Sequence, residues 1–180
     1  FVNDLVAVHF SHTSILKLHF ARQTVEKRIE DLATDISSRL IEFSETVSED
    51  RVFALRLLAE KDRSSPEVTG FSARFMKPMG FSILDITDSS YMIVSSGQFI
   101  ANAGISIVNK GSYIDSVPLV VKDVVRGKRV ITFQAKRRFV IAGIPFYAFG
   151  GIGIEKTMLS KLSPFEDCTV IMRIGNEIIG

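Results

Sequence analysis

From Ile15 to Val47 the apolar residues Ile15, Leu18, Val25, Ile29, Leu32, Ile36, Leu40, Phe43 and Val47 mostly recur every three or four positions. No glycine or proline interrupts them. This spacing lays one apolar stripe along a helix. At ~1.5 Å per residue the helix is about 50 Å long, more than a small globular core needs. After Gly80 the period changes to short runs rich in β-branched and aromatic residues. A chain built this way folds as long helices followed by a sheet.

The remaining elements follow from local signals. A second helix is expected in "EDRVFALRLLAEKD", with Ser48 as its N-cap. Ser65-Pro66 opens a third, shorter one. "FSILDI" and "YMIVSS", separated by "TDSS", read as a hairpin. Residues 97–116 form a loop, and Ser116 and Pro118 open a short helix "VPLVVKDVV" that Gly127 ends. "RVITFQAKR", "FVIAGIPFYAF" and "GIGIE" read as three strands, the last two joined at Gly150-Gly151. The helix "KTMLSKL" and a final hairpin turning at Gly175-Asn176 complete the chain. The expected fold is α+β: a long N-terminal helix packed on a PAS-like five-stranded antiparallel sheet. The loop and its short helix cover the other face. Expected boundaries are 1–64 for the two helices, 65–162 for the sensor module, and 163–180 for a terminal hairpin or the start of a second, truncated module.

Composition excludes several functions. With 46% hydrophobic and 23% charged residues among 180, the chain has enough apolar material for a core. A net charge of +2 without a basic, aromatic-interleaved stripe argues against nucleic acid as a partner. One cysteine, Cys168, allows no internal disulfide and no CxxC motif. His9, His12 and His19 all fall in the first twenty residues, on a segment read as helical, so no nucleophile–histidine–acid set can be assembled in the body of the chain. His12 lacks the acidic neighbour and following proline of a phosphoacceptor helix, since Thr13 and Leu16 stand there. Glycines 150–153 lack the spacing of a phosphate cradle. The longest apolar run, 139–154, holds Pro145 and four glycines and is shorter than the ~18 residues of a membrane span. The start at Phe1 and the end on "NEIIG" suggest a piece of a longer protein.

Asp85 and Asp88 raise the question of a metal or phosphoryl site. Asp115 is the one obvious further ligand, too few for a cation. Asp88-Ser89-Ser90 is ordinary turn chemistry, and the stretch is read as scaffold. No catalytic residue, metal or cofactor is expected. The cluster Lys128, Arg129, Lys136, Arg137 and Arg138 is more informative. Strand alternation puts Lys136 and Arg138 on the face of Thr132 and Gln134, opposite Phe133 and Ala135. If that face looks into a cavity, it offers donors to a carboxylate or another small anion. Tyr91, Tyr113 and Tyr147 can each supply an apolar wall with a hydrogen-bonding tip. The candidate ligand-binding residues are therefore Tyr91, Tyr113, Gln134, Lys136, Arg138 and Tyr147.

The helix 15–47, the hairpin "FSILDITDSSYMIVSSG" and the segment "VITFQAK…FVIAGIPFYAFGGIGIEKTMLSKL" together resemble the Cache-type (extracytoplasmic PAS-like) sensor domains of bacterial receptor histidine kinases, chemoreceptors and diguanylate cyclases. The resemblance covers roughly 15–162. It implies a periplasmic ligand-sensing domain of an inner-membrane receptor, whose membrane spans lie outside this sequence and whose output domain is a kinase or cyclase. It implies signalling by displacement of the long helix, whose overrun beyond the sheet meets a partner helix in a parallel homodimer. Members that bind amino acids often carry an arginine, a tryptophan–tyrosine pair and a later aspartate in the ligand loop. This chain has no tryptophan and its loop "QFIANAGISIVNKGSYIDS" does not match. A cytoplasmic PAS-like dimerisation module without a small ligand is the alternative.

Overall fold

The computed structural model describes residues 6–9, 15–59, 64–125, 128–166, 168–174 and 177–179. The chain divides into two compact units, one of residues 1–34 with 154–180 and one of residues 35–153. A continuous helix α1, Ile15–Glu49, contributes to both.

The larger unit is built on a five-stranded antiparallel sheet. Its strands are β2 (Ile83–Thr87), β3 (Ile93–Ser96), β4 (Leu119–Val125), β5 (Lys128–Ile141) and β6 (Ile144–Gly153), in the order β3-β2-β6-β5-β4. One face is covered by the second half of α1, whose Ile36, Leu40, Phe43 and Val47 are fully buried. Contact is close because Gly150 has no side chain: a Cβ there would stand 2.8 Å from Leu40 Cδ1 and 3.1 Å from Phe81. Helices α2 (Arg51–Leu58), α3 (Pro66–Thr69) and α4 (Ala73–Met76) extend this layer. Phe53 stacks on Phe71 at 3.9 Å between ring centres, and Phe71 and Phe43 both meet Phe75. The Ser95 hydroxyl accepts the Ser72 N–H and donates to the Thr69 carbonyl, fixing α3 and α4 to β3. The other face lies beneath the loop 97–117, which contains two single 3-10 turns, Ile100–Asn102 and Val108–Lys110.

The α+β architecture matches the expectation, but several elements differ from it. Residues 119–125 form strand β4, not a helix, and pair with β5 from Leu119↔Gln134 to Val125↔Lys128. Four valines there favour a pleated, half-buried surface, and the hairpin supplies the ladder. Residues 128–153 make two strands, not three. Gly150 and Gly151 lie inside β6, and the reversal is at Ala142-Gly143, whose φ values of 48° and 83° suit a two-residue hairpin turn. The cap between α1 and α2 is Asp50, which accepts the Phe53 N–H at 2.8 Å; Ser48 instead donates to the Ser44 carbonyl inside α1.

In the smaller unit, β7 (Thr169–Ile174) pairs with β8 (Glu177–Ile179) as the expected terminal hairpin, joined through Ile174↔Glu177. Gly175 and Asn176 themselves lie outside the described residues. β7 also pairs with β1 (Val6–His9), so His9 sits on a strand where a helical segment was expected. His12 lies outside the described residues. Ala21 and Val25 of α1 are buried with Leu159 and Leu162 of α5 (Lys156–Leu162) and with Val170 and Met172. Arg28 donates to the carbonyls of Lys161 and Ser163, and Phe20 stacks on Phe165. Part of the first half of α1 is thus covered within its own chain.

Candidate functional site

Antiparallel register places side chains in rows across the sheet. On the face away from α1 one row is Ser96–Asp85–Phe149–Lys136, the next is Thr87–Tyr147–Arg138, and a third is Ile83–Gly151–Gln134–Leu119. The expected alternation in β5 holds: Thr132, Gln134, Lys136 and Arg138 share this face, with Phe133 and Ala135 on the other.

An aromatic cluster occupies the centre. Tyr91 and Tyr147 stack with ring centres 4.8 Å apart and planes 18° from parallel. Phe149 meets Tyr91 edge-on at 6.3 Å and Tyr113 at 6.2 Å. Lys136, only 7% exposed, holds its ammonium 5.8 Å from the Tyr91 ring centre and 5.5 Å from that of Tyr147. It donates to the Gly111 carbonyl at 2.9 Å. Ring faces attract a cation through their quadrupole. Among the described residues no opposite charge is paired with it.

Tyr91 is held there at a cost. Its φ of 61° is in the left-handed region, unusual for a bulky residue. The turn before it enforces this: Asp88 Oδ1 accepts from the Ser90 N–H, the Ser90 hydroxyl and the Met92 N–H, while the Tyr91 N–H donates to the Asp88 carbonyl. Asp88 is therefore scaffold, as expected. Gly111 admits the ring from the loop side, since a Cβ there would stand 2.8 Å from Tyr91 Cε2.

Asp85 lies inside β2 and takes no part in that turn. It is 3% exposed, and both its oxygens accept from Gln98 Nε2, at 2.8 and 2.9 Å. Burial pushes its carboxyl up to about 6, with the neighbouring Ser96 hydroxyl, the Gln98 amide and the charge of Lys110 opposing the rise. Gln98 also accepts the Leu84 N–H, tying the start of the loop to β2. Farther along, buried Lys110 forms an ion pair with Asp123 and donates to Gln134 Oε1, while Gln134 Nε2 donates to Asp123 and to the Thr132 hydroxyl. Burial works against the charge of Asp123. The Lys110 ammonium and donors from Lys110, Gln134 and the Val124 N–H outweigh it and hold the carboxyl below its usual range. Burial, and then the Asp123 charge, raises the Tyr113 phenol. A hydrogen bond with Tyr91, ahead of burial, raises that of Tyr147.

Of the six expected residues, Tyr91, Tyr113, Gln134, Lys136 and Tyr147 gather on this face. Arg138 shares it but stands exposed at the rim, its backbone N–H donating to Asp115. Sequence reasoning missed Asp85, Gln98, Lys110 and Asp123. A carboxylate between Leu84 and Ile86 in an apolar strand was a usable signal for the first. Asp123 was hidden by the helical reading of its segment, and Lys110 and Gln98 sit in a loop without periodicity.

Among the described residues no group of three or more histidine, cysteine, aspartate or glutamate side chains is placed to hold a metal ion. No helix among them is long and apolar enough to cross a membrane. A separate groove of about 510 Å³ in the smaller unit is lined by Leu159, Phe165, Cys168 and Val170, with Lys156 and Glu166 exposed at its edge. It gathers no comparable set of buried charges.

No family model matches the chain, and no curated protein matches it. Solved structures do. The periplasmic domain of Vibrio cholerae LuxQ is similar with a TM-score of 0.50 and 17% identity, over 83% of this chain and 69% of that one. The sensor domain of the V. cholerae histidine kinase DctB is similar with a TM-score of 0.52 and 10% identity, over 76% of this chain and 56% of that one. The fold of this chain is that of these sensor domains, as its resemblance to Cache-type modules implies.

Proposed function

We propose that this chain is an extracytoplasmic ligand-sensing domain of a bacterial transmembrane signalling receptor, and that it binds a small carboxylate or similar anion on the face carrying Lys136. The observation that carries this reading is the Lys136 ammonium itself. It is buried between two tyrosine rings and a carbonyl, under a loop, with no carboxylate partner among the described residues. A buried charge is costly unless something compensates it, and a bound anion is the natural compensation. Tyr91, Tyr113, Tyr147 and Phe149 provide the wall, Gln134 a polar floor, and exposed Arg138 an outer positive charge that guides an anion inward.

Similarity in fold to two sensor domains, one of them described as periplasmic, supports the location and class. Ligand binding favours one arrangement of loop and sheet, and α1 packs on the opposite face, so the same helix can carry the shift away from the site. A parallel homodimer through α1 and membrane spans beyond these residues complete the proposed receptor, with the hairpin 169–179 ending the module or opening a second one. A thermal-shift screen of small carboxylates, amino acids and neutral metabolites tests the reading, because a true ligand raises stability by mass action. Stabilisation by one or more anions is expected; stabilisation only by neutral or cationic compounds contradicts it.

A further inference from the structure

We propose that the site is proton-linked: a small anion held at Lys136 and a proton held at Asp85 favour each other, so that the response to the anion strengthens as the surroundings acidify. This inference rests on the anion-binding reading and deepens it. Asp85 and Lys136 stand in one row with only Phe149 between them, two strands apart, about 10 Å between Cα atoms. Both side chains are buried.

The charges around Asp85 are already committed elsewhere. Its hydrogen-bond partner, Gln98 from the loop, is neutral, and so is Ser96 opposite it on β3. Lys110, the cation that acts on it, is engaged by Asp123, whose own charge opposes that help. The other groups on this face are the phenols of Tyr91, Tyr113 and Tyr147, the Gln134 amide, Lys136, and Arg138 exposed at the rim. The opposite side of β2 carries the fully buried Leu84 and Ile86. Asp85 is thus a carboxylate without a cation of its own, and burial moves its titration to about 6.

A second observation points to a ligand. Thr87, in the row next to Asp85, is fully buried, and its hydroxyl, like that of Ser96, has no hydrogen-bond partner among the described residues. It faces the same side as Tyr147 and offers a donor to an incoming oxygen. An anion lodged between Lys136 and Thr87 brings negative charge close to Asp85 in a poorly screened setting. Ionised Asp85 repels it and protonated Asp85 does not. Because linkage is reciprocal, the anion must also tighten the proton on Asp85 by the same factor.

The test uses methanesulfonate, whose charge is constant between pH 5 and pH 7.5, titrated into the 180-residue chain and followed by NMR. In the wild type the dissociation constant is expected to be about tenfold lower at pH 5 than at pH 7.5. In Asp85→Asn, which keeps the shape and the Gln98 contact, it is expected to stay low and equal at both. The Asp85 carboxyl ¹³C shift gives an independent reading, and saturating methanesulfonate should raise its midpoint by about one pH unit, the same tenfold factor. Equal wild-type affinity at both pH values, with loss of binding in Lys136→Met, overturns the linkage and leaves the anion site standing. No binding at either pH overturns both.

Discussion

The ammonium of Lys136 lies 5.5 Å from the centre of the Tyr147 ring, and its one hydrogen-bond acceptor among the described residues is the Gly111 carbonyl. A buried lysine so placed is largely shielded from solvent and has no opposite charge paired with it among the described residues. The predictions below follow from that arrangement and from the network beside it.

Replacing Lys136 by methionine should abolish anion binding and leave the fold intact. Losing a charged hydrogen bond inside a site typically weakens binding by about 2–4 kcal/mol. Stability should be unchanged or slightly higher, since an apolar side chain of similar length replaces a buried charge. Calorimetric binding and thermal melts of the variant check both halves.

Stability should depend on pH through Asp85. Its folded carboxyl titrates at about 6 against 3.8 for an ordinary one. The folded state therefore binds this proton more tightly than the unfolded state. That contribution is complete below about pH 4 and disappears as pH rises to about 6, a change on the order of 3 kcal/mol. Urea unfolding of wild type and Asp85→Asn at pH 4, 5, 6 and 7 reads it, and the slope between 4 and 6 should flatten in the variant. Asp123, held below its usual range, has the opposite sign: its contribution is present above the ordinary carboxylate value and is lost as pH falls below it.

Asp123→Asn should destabilise the larger unit by about 2–4 kcal/mol, because it leaves Lys110 buried without its counter-ion. Hydrogen exchange should quicken at residues 107–113, where Lys110 anchors the loop. The double variant Lys110→Met, Asp123→Leu should recover most of the loss, which a thermodynamic cycle measures.

Gly150→Ala should cost about 1–3 kcal/mol, since its methyl would meet Leu40 and Phe81 across the helix–sheet interface. Combining it with Leu40→Ala should cost less than the sum of the two single changes, as chemical denaturation of the three variants will tell.

The sequence revealed the long helix, the antiparallel sheet and the polar face of β5 because each rests on local periodicity. Thr132, Gln134, Lys136 and Arg138 had only one way to alternate once β5 was a strand. What stayed hidden depends on partners distant in sequence. Strand β4 exists because β5 pairs with it, and its alternating Val121 and Asp123 carry too weak a signal alone to outweigh a plausible helix start at Pro118. Lys110 and Gln98 reach their partners from an irregular loop, whose path no local rule dictates. Asp85 was visible, but its burial was not, because the turn chemistry of Asp88 three residues later accounted for the pair without it.

The most direct test of the central claim is an NMR titration of the isotopically labelled chain with small carboxylates. Saturable shifts are expected at Tyr91, Tyr113, Gln134, Lys136, Tyr147 and the loop 97–116, and they should vanish in Lys136→Met. Shifts confined to the groove around Leu159 and Val170, or saturable binding that survives in Lys136→Met, would contradict it.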